Sequence, residues 1–288
     1  MKKACHQFLK TLTVSTLIII FGFSNFGSFL LLRVGMSDLA DSLEDAVPQA
    51  HAAASQGEGI IVYGKSAVAA PQYRIYDPSL NTWGTETAVG GATFTGLPRF
   101  IMVKTAPTRD EAVVGVLNDT GTLYIVRWDG SASSWTQLGS NIATGINPAV
   151  TKIFDINYEN TSGDAVVVVG GGVDPLYYTW NGSTWVGPTT ITQATRTTGA
   201  IRWVETAVRK TSGSDELALA YADANGDLNA LIWSGSAWTE QTAVGTALST
   251  GIENNAAATT MRAFDVKYET VSGDLLIMWG NSATVDPR

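Results

Sequence analysis

Three stretches decide the reading of this chain: WDGSASSW at 128–135, WNGSTW at 180–185 and WSGSAW at 233–238. Each opens and closes on tryptophan, at Trp128 and Trp135, Trp180 and Trp185, and Trp233 and Trp238. The copies follow at a step of about 50 residues, and self-similarity at a fixed period of this size marks a repeat architecture. Outward from each pair the pattern continues. An apolar run lies upstream: AVVGVL from Ala112, AVVVVG from Ala165 and ELALAY from Glu216, with further copies GIIVYG from Gly59 and LLIMWG from Leu275. Turns containing an acidic residue precede most of these runs: Asp110-Glu111, Gly163-Asp164, Ser214-Asp215 and Gly273-Asp274. Before the turns stands another extended run that opens on Arg99, Lys152, Arg202 or Arg262. The first copy is degenerate, with Tyr76 and Trp83 of YRIYDPSLNTW in the aromatic places.

Runs rich in Val, Ile, Tyr and Trp between Gly, Asp, Asn and Ser are strand signals. In the copy from Arg202 they spell four strands: RWVETAV, ELALAY, DLNALIW and the segment around Trp238. The Asp-Gly, Asn-Gly and Ser-Gly pairs after the first Trp read as tight hairpin turns, since Gly and Asn tolerate positive φ. No stretch after residue 58 has a sustained helical period. The expectation is an all-β fold: a β-propeller of four-stranded antiparallel blades, with four to five blades present near 59–98, 99–151, 152–201, 202–261 and a partial one at 262–288. A lone blade cannot bury both faces, so the Trp pairs are expected to fill the gaps between stacked neighbours. The copies alternate: FDINYENTSGD from Phe154 is nearly repeated by FDVKYETVSGD from Phe264, while WVETAVRKTSGSDE between them differs. Growth by duplication of blade pairs follows. The count of five second strands but four outer units implies a longer parent truncated at Arg288, or else a compact four-bladed ring with one redundant strand.

The chain has 288 residues, a formal charge of −8 and a pI near 4.7. This balance argues against nucleic acid as a partner, because phosphate binding needs a basic surface. Cys5 is the only cysteine, and both histidines, His6 and His51, precede the repeats. Ser-His-Asp and Cys-His catalysis and His-ligated metals are therefore excluded from the repeat region, and no cofactor, metal or catalytic residue is expected there. Lys2, Lys3 and Lys10 precede an apolar stretch from Thr11 to Leu32, and Asp38, Asp41, Glu44 and Asp45 follow it. That charge order places the N-terminus inside and the remainder outside. Residues 1–32 are expected to form an apolar helix acting as a signal peptide or membrane anchor, and 33–58 a linker. The repeats would then be extracellular or at the cell surface, held to the membrane by 11–32 if the segment is uncleaved.

LALAYADANGDLNALIWSGSAWTE from Leu217 resembles a blade of the fungal and bacterial fucose-binding lectin propellers, which carry a similar Trp-x-Gly-x-x-Trp signature. In that family an Arg in the second strand and a Glu three residues before the first Trp hold the sugar. The matching places here are near Val114, Val166 and Leu219, and at Ile125, Tyr177 and Ala230, so the resemblance implies the blade and not the fucose site. YDPSLNTW from Tyr76 also resembles a kelch-type strand and turn, without the paired glycines that open a kelch repeat.

Asp223, Asn225 and Asp227 in DANGD miss the calcium-loop spacing, because Gly226 precedes the third oxygen residue, and read as a polar hairpin turn. Asn118, Asn160 and Asn181 stand in glycosylation sequons whose form turn chemistry also explains. Lys152/Asp155, Arg202/Glu205 and Arg262/Asp265 repeat at an offset of three, which puts partners on opposite faces of a strand. They are expected to bridge neighbouring blades as an ion-pair ring, or to line a polar channel. Recognition concentrates in loops on rigid scaffolds. The expected binding face is therefore the one with the long blade-to-blade connections and the second-to-third-strand turns: Asp223, Asn225 and Asp227, with Glu253, Asn254 and Asn255 of the loop 239–261. The function expected is an exported, non-catalytic recognition or scaffold propeller with a protein or glycan ligand. A lectin is the alternative, and an extracellular glycoside hydrolase a distant third.

Overall fold

The computed structural model describes residues 58–145, 151–192, 199–241, 248, 252 and 262–280. The described residues all fall in one compact unit, Ala53–Arg288. The expected helix at 11–32 and the site residues Glu253, Asn254 and Asn255 lie outside the described residues. Among those described there is no helix, and none long and apolar enough to cross a membrane.

Five antiparallel sheets follow in chain order. Blade 1 holds β1 (Gly59–Lys65), β2 (Val68–Asp77), β3 (Thr82–Trp83) and β4 (Thr87–Ala88); its order is β1-β2-β3, with β4 also on β2. Blade 2 holds β5 (Pro98–Thr105), β6 (Glu111–Asn118), β7 (Thr122–Asp129), β8 (Ser134–Gln137) and β9 (Ile142–Ala143), with β9 on β7. Blade 3 is β10 (Phe154–Tyr158), β11 (Ala165–Val169), β12 (Leu176–Trp180) and β13 (Trp185–Thr190). Blade 4 is β14 (Ile201–Val208), β15 (Leu217–Asp223), β16 (Leu228–Trp233) and β17 (Trp238–Glu240). Blade 5 shows β18 (Phe264–Tyr268) and β19 (Leu275–Trp279). The sequence register holds: β1, β6, β11, β15 and β19 are the five apolar second strands, and β3, β8, β13 and β17 the four outer ones.

Consecutive blades touch through their innermost strands, β1 to β5, β5 to β10, β10 to β14 and β14 to β18, the arrangement of blades about an axis. The sheets do not close into a ring among the described residues. Four apolar clusters fill the four gaps. The second strands read as unbroken apolar runs because both faces are covered. In β11, Ala165, Val167 and Val169 pack towards blade 2, while Val166 and Val168 pack towards blade 4. Gly115 of β6 sits against Phe154 and Ile156 of blade 3, where a Cβ would collide with the Phe154 ring and the Ile156 side chain.

The Trp pairs are cross-strand neighbours: Trp128 opposite Trp135, Trp180 opposite Trp185 and Trp233 opposite Trp238, with Tyr76 opposite Trp83. In each Trp pair the first ring is buried and the second half-buried, whereas Tyr76 is half-buried and Trp83 exposed. Tilted contacts of 5.2 Å (Trp128–Trp135) and 5.3 Å (Trp233–Trp238) are extended by Tyr73 and Tyr177 of the preceding blade. This is packing between blades. The hairpins they close are four-residue loops rather than two-residue turns: Asn181 Oδ1 accepts the Ser183 and Thr184 amides at 3.0 and 2.8 Å. In blade 2 the positive φ falls on Ser133 (48°) and not on Gly130, which is small because Asp110 lies against it.

Candidate binding recesses

The turn residues Asp223, Asn225 and Asp227 lie where β15 passes into β16. Asp223 is buried, and its Oδ1 accepts the amides of Asn225 (2.9 Å) and Asp227 (3.0 Å) while Oδ2 accepts that of Gly199 (3.2 Å). Asp227 is also buried, and Asn225 alone of the three is exposed. Asn118 does the same work in blade 2, accepting the Thr120 and Thr122 amides at 3.0 and 2.8 Å. The carboxylate of Asp223 therefore closes the turn and ties it to the incoming connection. No group of three metal-ligating side chains occurs among the described residues.

The repeating charges bridge blades as expected. Glu205 of β14 accepts Lys152 Nζ at 2.7 Å from blade 3 and Arg262 Nη1 at 2.5 Å from blade 5. One expectation fails: Lys152–Asp155 (3.5 Å) and Arg262–Asp265 (3.9 Å) also meet within one chain segment. Lys152 and Arg262 precede the first residues of β10 and β18, so the alternation of a strand does not yet govern them. Burial penalises the Glu205 charge, but the two cations outweigh it and hold its pKa below the usual range. Asp155 is fully buried and its pKa is raised by that burial, against the pull of Lys152. Its Oδ2 accepts the Thr206 amide at 2.6 Å, stitching β10 to β14.

At the other end of the inner strands, the first-to-second-strand turns lash blade 2 to blade 3 and blade 3 to blade 4. Arg109 Nη2 donates to Gly163 O at 2.6 Å, and Asp215 Oδ1 accepts the Thr161 and Ser162 amides at 2.7 and 2.9 Å. Beside them a buried carboxylate receives the indole of the following blade. Trp180 Nε1 donates to Glu111 (3.2 Å), and Trp233 Nε1 donates to Glu159 Oε1 (2.5 Å). Tyr158 also donates to Glu111 (3.1 Å), as Tyr268 does to Glu216 (2.7 Å) two blades on. Burial and the adjoining carboxylate push both phenol pKa values well up.

Among the described residues, three recesses open at this end. One of about 220 Å³ lies between blades 3 and 4, walled by Tyr177 and Trp233, with Glu159, Asp164, Thr179 and Ser236 on its polar side. Burial raises the Glu159 pKa, opposed by hydrogen bonds from Ser162 and Trp233. Asp164 is raised chiefly by burial too, with Arg109 opposing. A recess of about 220 Å³ between blades 1 and 2 has Ile75 in the place of Thr179 and Trp128 in that of Trp233, with Arg109 and Glu111. Between blades 2 and 3 the corresponding place is taken by Arg127, whose guanidinium lies 5.6 Å over the Trp180 ring. The residue just before the first aromatic decides: Ile75 and Thr179 leave room, and Arg127 fills it. The third recess, about 570 Å³, lies on the axis where the inner strands end. The sequence argument pointed to the opposite end, because it weighed loop length and could not weigh gaps between blades. Most of loop 239–261 lies outside the described residues.

Comparison with known proteins finds no matching family model and no matching curated protein. Solved structures of similar fold exist. The chain is 17% identical to the Aleuria aurantia fungal lectin, a six-bladed β-propeller with fucose recognition; the match covers 67% of this chain and 59% of that one, at a TM-score of 0.44. It is 14% identical to the BP39L lectin of Burkholderia pseudomallei, covering 76% of this chain and 62% of that one, at 0.46. It is 6% identical to the β-propeller domain of the Trilobed protease of Pyrococcus furiosus, which has an open velcro topology, covering 80% and 64%, at 0.42. The likeness is one of fold. The chain spans about three fifths of the lectins' length.

Proposed function

We propose that this protein is an exported, non-catalytic propeller that recognises glycans through recesses between alternate blades. The observation that carries the reading is the recess between blades 3 and 4. Aromatic side chains, Tyr177 and Trp233, stand beside carboxylates and hydroxyls in a hollow about 220 Å³ in volume. Apolar walls with a few placed polar groups suit a ligand with both characters, and a sugar ring is such a ligand. The hollow is smaller than the ~300–1,000 Å³ of sites that enclose a whole small molecule, so it takes one ring of a chain. Binding is favoured over hydrolysis because Glu159, a carboxylate there with a raised pKa, is tied by Trp233 and Ser162. The lectin-type propellers of similar fold are consistent with this reading. Export rests on Lys2, Lys3 and Lys10 ahead of the apolar stretch 11–32.

The test borrows the molecule's own plug. Thr179→Arg places in this recess the side chain that Arg127 places one gap earlier. Wild-type protein on a glycan array should retain a defined set of glycans, and Thr179→Arg should lose them with unchanged unfolding. An array without binders, or retention unaltered by Thr179→Arg and by Tyr177→Ala, overturns the reading. For export, a reporter active only outside the cytoplasm, joined after residue 58, should be active; an inactive, normally expressed fusion overturns it.

A further inference from the structure

The axial recess gathers positive charge in an acidic protein. It is lined where β5, β10, β14 and β18 end and β1 begins, by Lys104, Lys210, Lys267, Tyr158, Tyr268 and Glu58 among others. Lys104 and Lys267 occupy the same register position, one residue before their strands end, and Lys210 lies two residues past β14. Lysines from three separate blades thus meet in one hollow. Elsewhere the cations are largely spent: Lys65, Arg99, Arg109, Arg127, Lys152, Arg209 and Arg262 each face a carboxylate within 4 Å. Lys104 and Lys210 face none among the described residues, and Lys267 only the exposed Asp265 at 3.8 Å. Glu58 is the one carboxylate among the lining residues. Three lysines against Glu58 leave the hollow net positive, and like charges beside a concave, low-dielectric wall repel. An anion entering the hollow offsets that repulsion.

We infer that the axial recess is a second binding site, one for an acidic saccharide carrying a carboxylate or sulfate group. Its volume of about 570 Å³ falls within the ~300–1,000 Å³ of small-ligand sites. The lysines take the anionic group. Tyr158 and Tyr268 have no proton to donate to a ligand, since their hydroxyls already donate to Glu111 and Glu216, and their rings offer apolar surface. A net charge of −8 disfavours a long polyphosphate track, and three lysines in one hollow fit a sugar unit better than a nucleic-acid strand. The site is distinct from the recess between blades 3 and 4 and does not depend on it.

The experiment is titration of the full chain with dextran sulfate, polygalacturonate, neutral dextran and inorganic sulfate at two salt concentrations. Either charged polysaccharide should bind, more weakly at high salt, and neutral dextran should not. Lys104→Gln with Lys210→Gln should weaken that binding at least tenfold without lowering the melting temperature, since neither lysine has an ion pair or hydrogen bond among the described residues and their mutual repulsion is relieved. Thr179→Arg should leave it intact, which separates this site from the recess between blades. Equal binding of neutral and charged dextran, no binding of either charged polymer, or unchanged affinity in the double variant overturns the inference. Binding of inorganic sulfate alone overturns the saccharide assignment.

Discussion

Trp180 shows how one residue serves two ends in this protein. Its ring is buried between blades 2 and 3, and its Nε1 satisfies a buried carboxylate. Trp180→Ala should destabilise by about 3–5 kcal/mol, read from urea unfolding, because a large cavity opens and Glu111 loses a donor. A loss below about 1 kcal/mol would show that the ring is not packed as described. Glu205 gives a signed dependence on pH. Its pKa is lowered in the fold from 4.5, so its contribution is present above that value and is lost as pH falls through the depressed one. Glu205→Gln should therefore cost about 1.5–3 kcal/mol at neutral pH, the worth of hydrogen bonds to charged groups, and much less in acid. Asp155 and Glu159 run the other way. Their raised pKa values mean that stability falls as pH rises from the unfolded to the folded value. The difference between wild type and Glu205→Gln, measured across pH, removes the Glu159 background and reports Glu205 together with Asp155, whose pKa the Glu205 charge helps raise.

At the scale of the element, the second strands display the repeat's logic. Val166 and Val168 of β11 are 2% and 0% exposed beneath blade 4. Their counterparts in β19, Leu276 and Met278, are 58% and 48% exposed. Val168→Ala should cost about 1–3 kcal/mol, and Met278→Ala at most about 0.5 kcal/mol, in thermal or denaturant unfolding. Equal costs would mean that the described faces are not those the protein uses. Gly115→Val should cost about 1–3 kcal/mol by overpacking, since β6 approaches Phe154 and Ile156 through the missing side chain.

At the scale of the molecule, stacking alternate blade types gives alternate gaps. Arg127 plugs one gap, and its neighbours keep recesses. The described region is strand without helix, so far-UV circular dichroism of residues 58–288 should show a β spectrum. Substantial helix would contradict the architecture. The axial recess is built by strands from every blade, and no single blade carries it.

The sequence by itself determined the strands, their order within each blade, the two-blade alternation and the packing role of the Trp pairs. Those features are periodic, and burial on both faces writes an apolar run that can be read without coordinates. It also showed charges recurring with the period, read as an ion-pair ring or a polar channel; that Glu205 joins Lys152 and Arg262 came from the tertiary structure. What it could not determine was the position of the hollows. Thr179 and Arg127 differ by one side chain at equivalent places, and whether either fills a gap depends on the blade across from it. Likewise Lys104, Lys210 and Lys267 are far apart in the chain, and meet only because inner strands converge on one axis. Tertiary structure decided the sites because each is a property of two or more blades, and a linear pattern records one blade at a time.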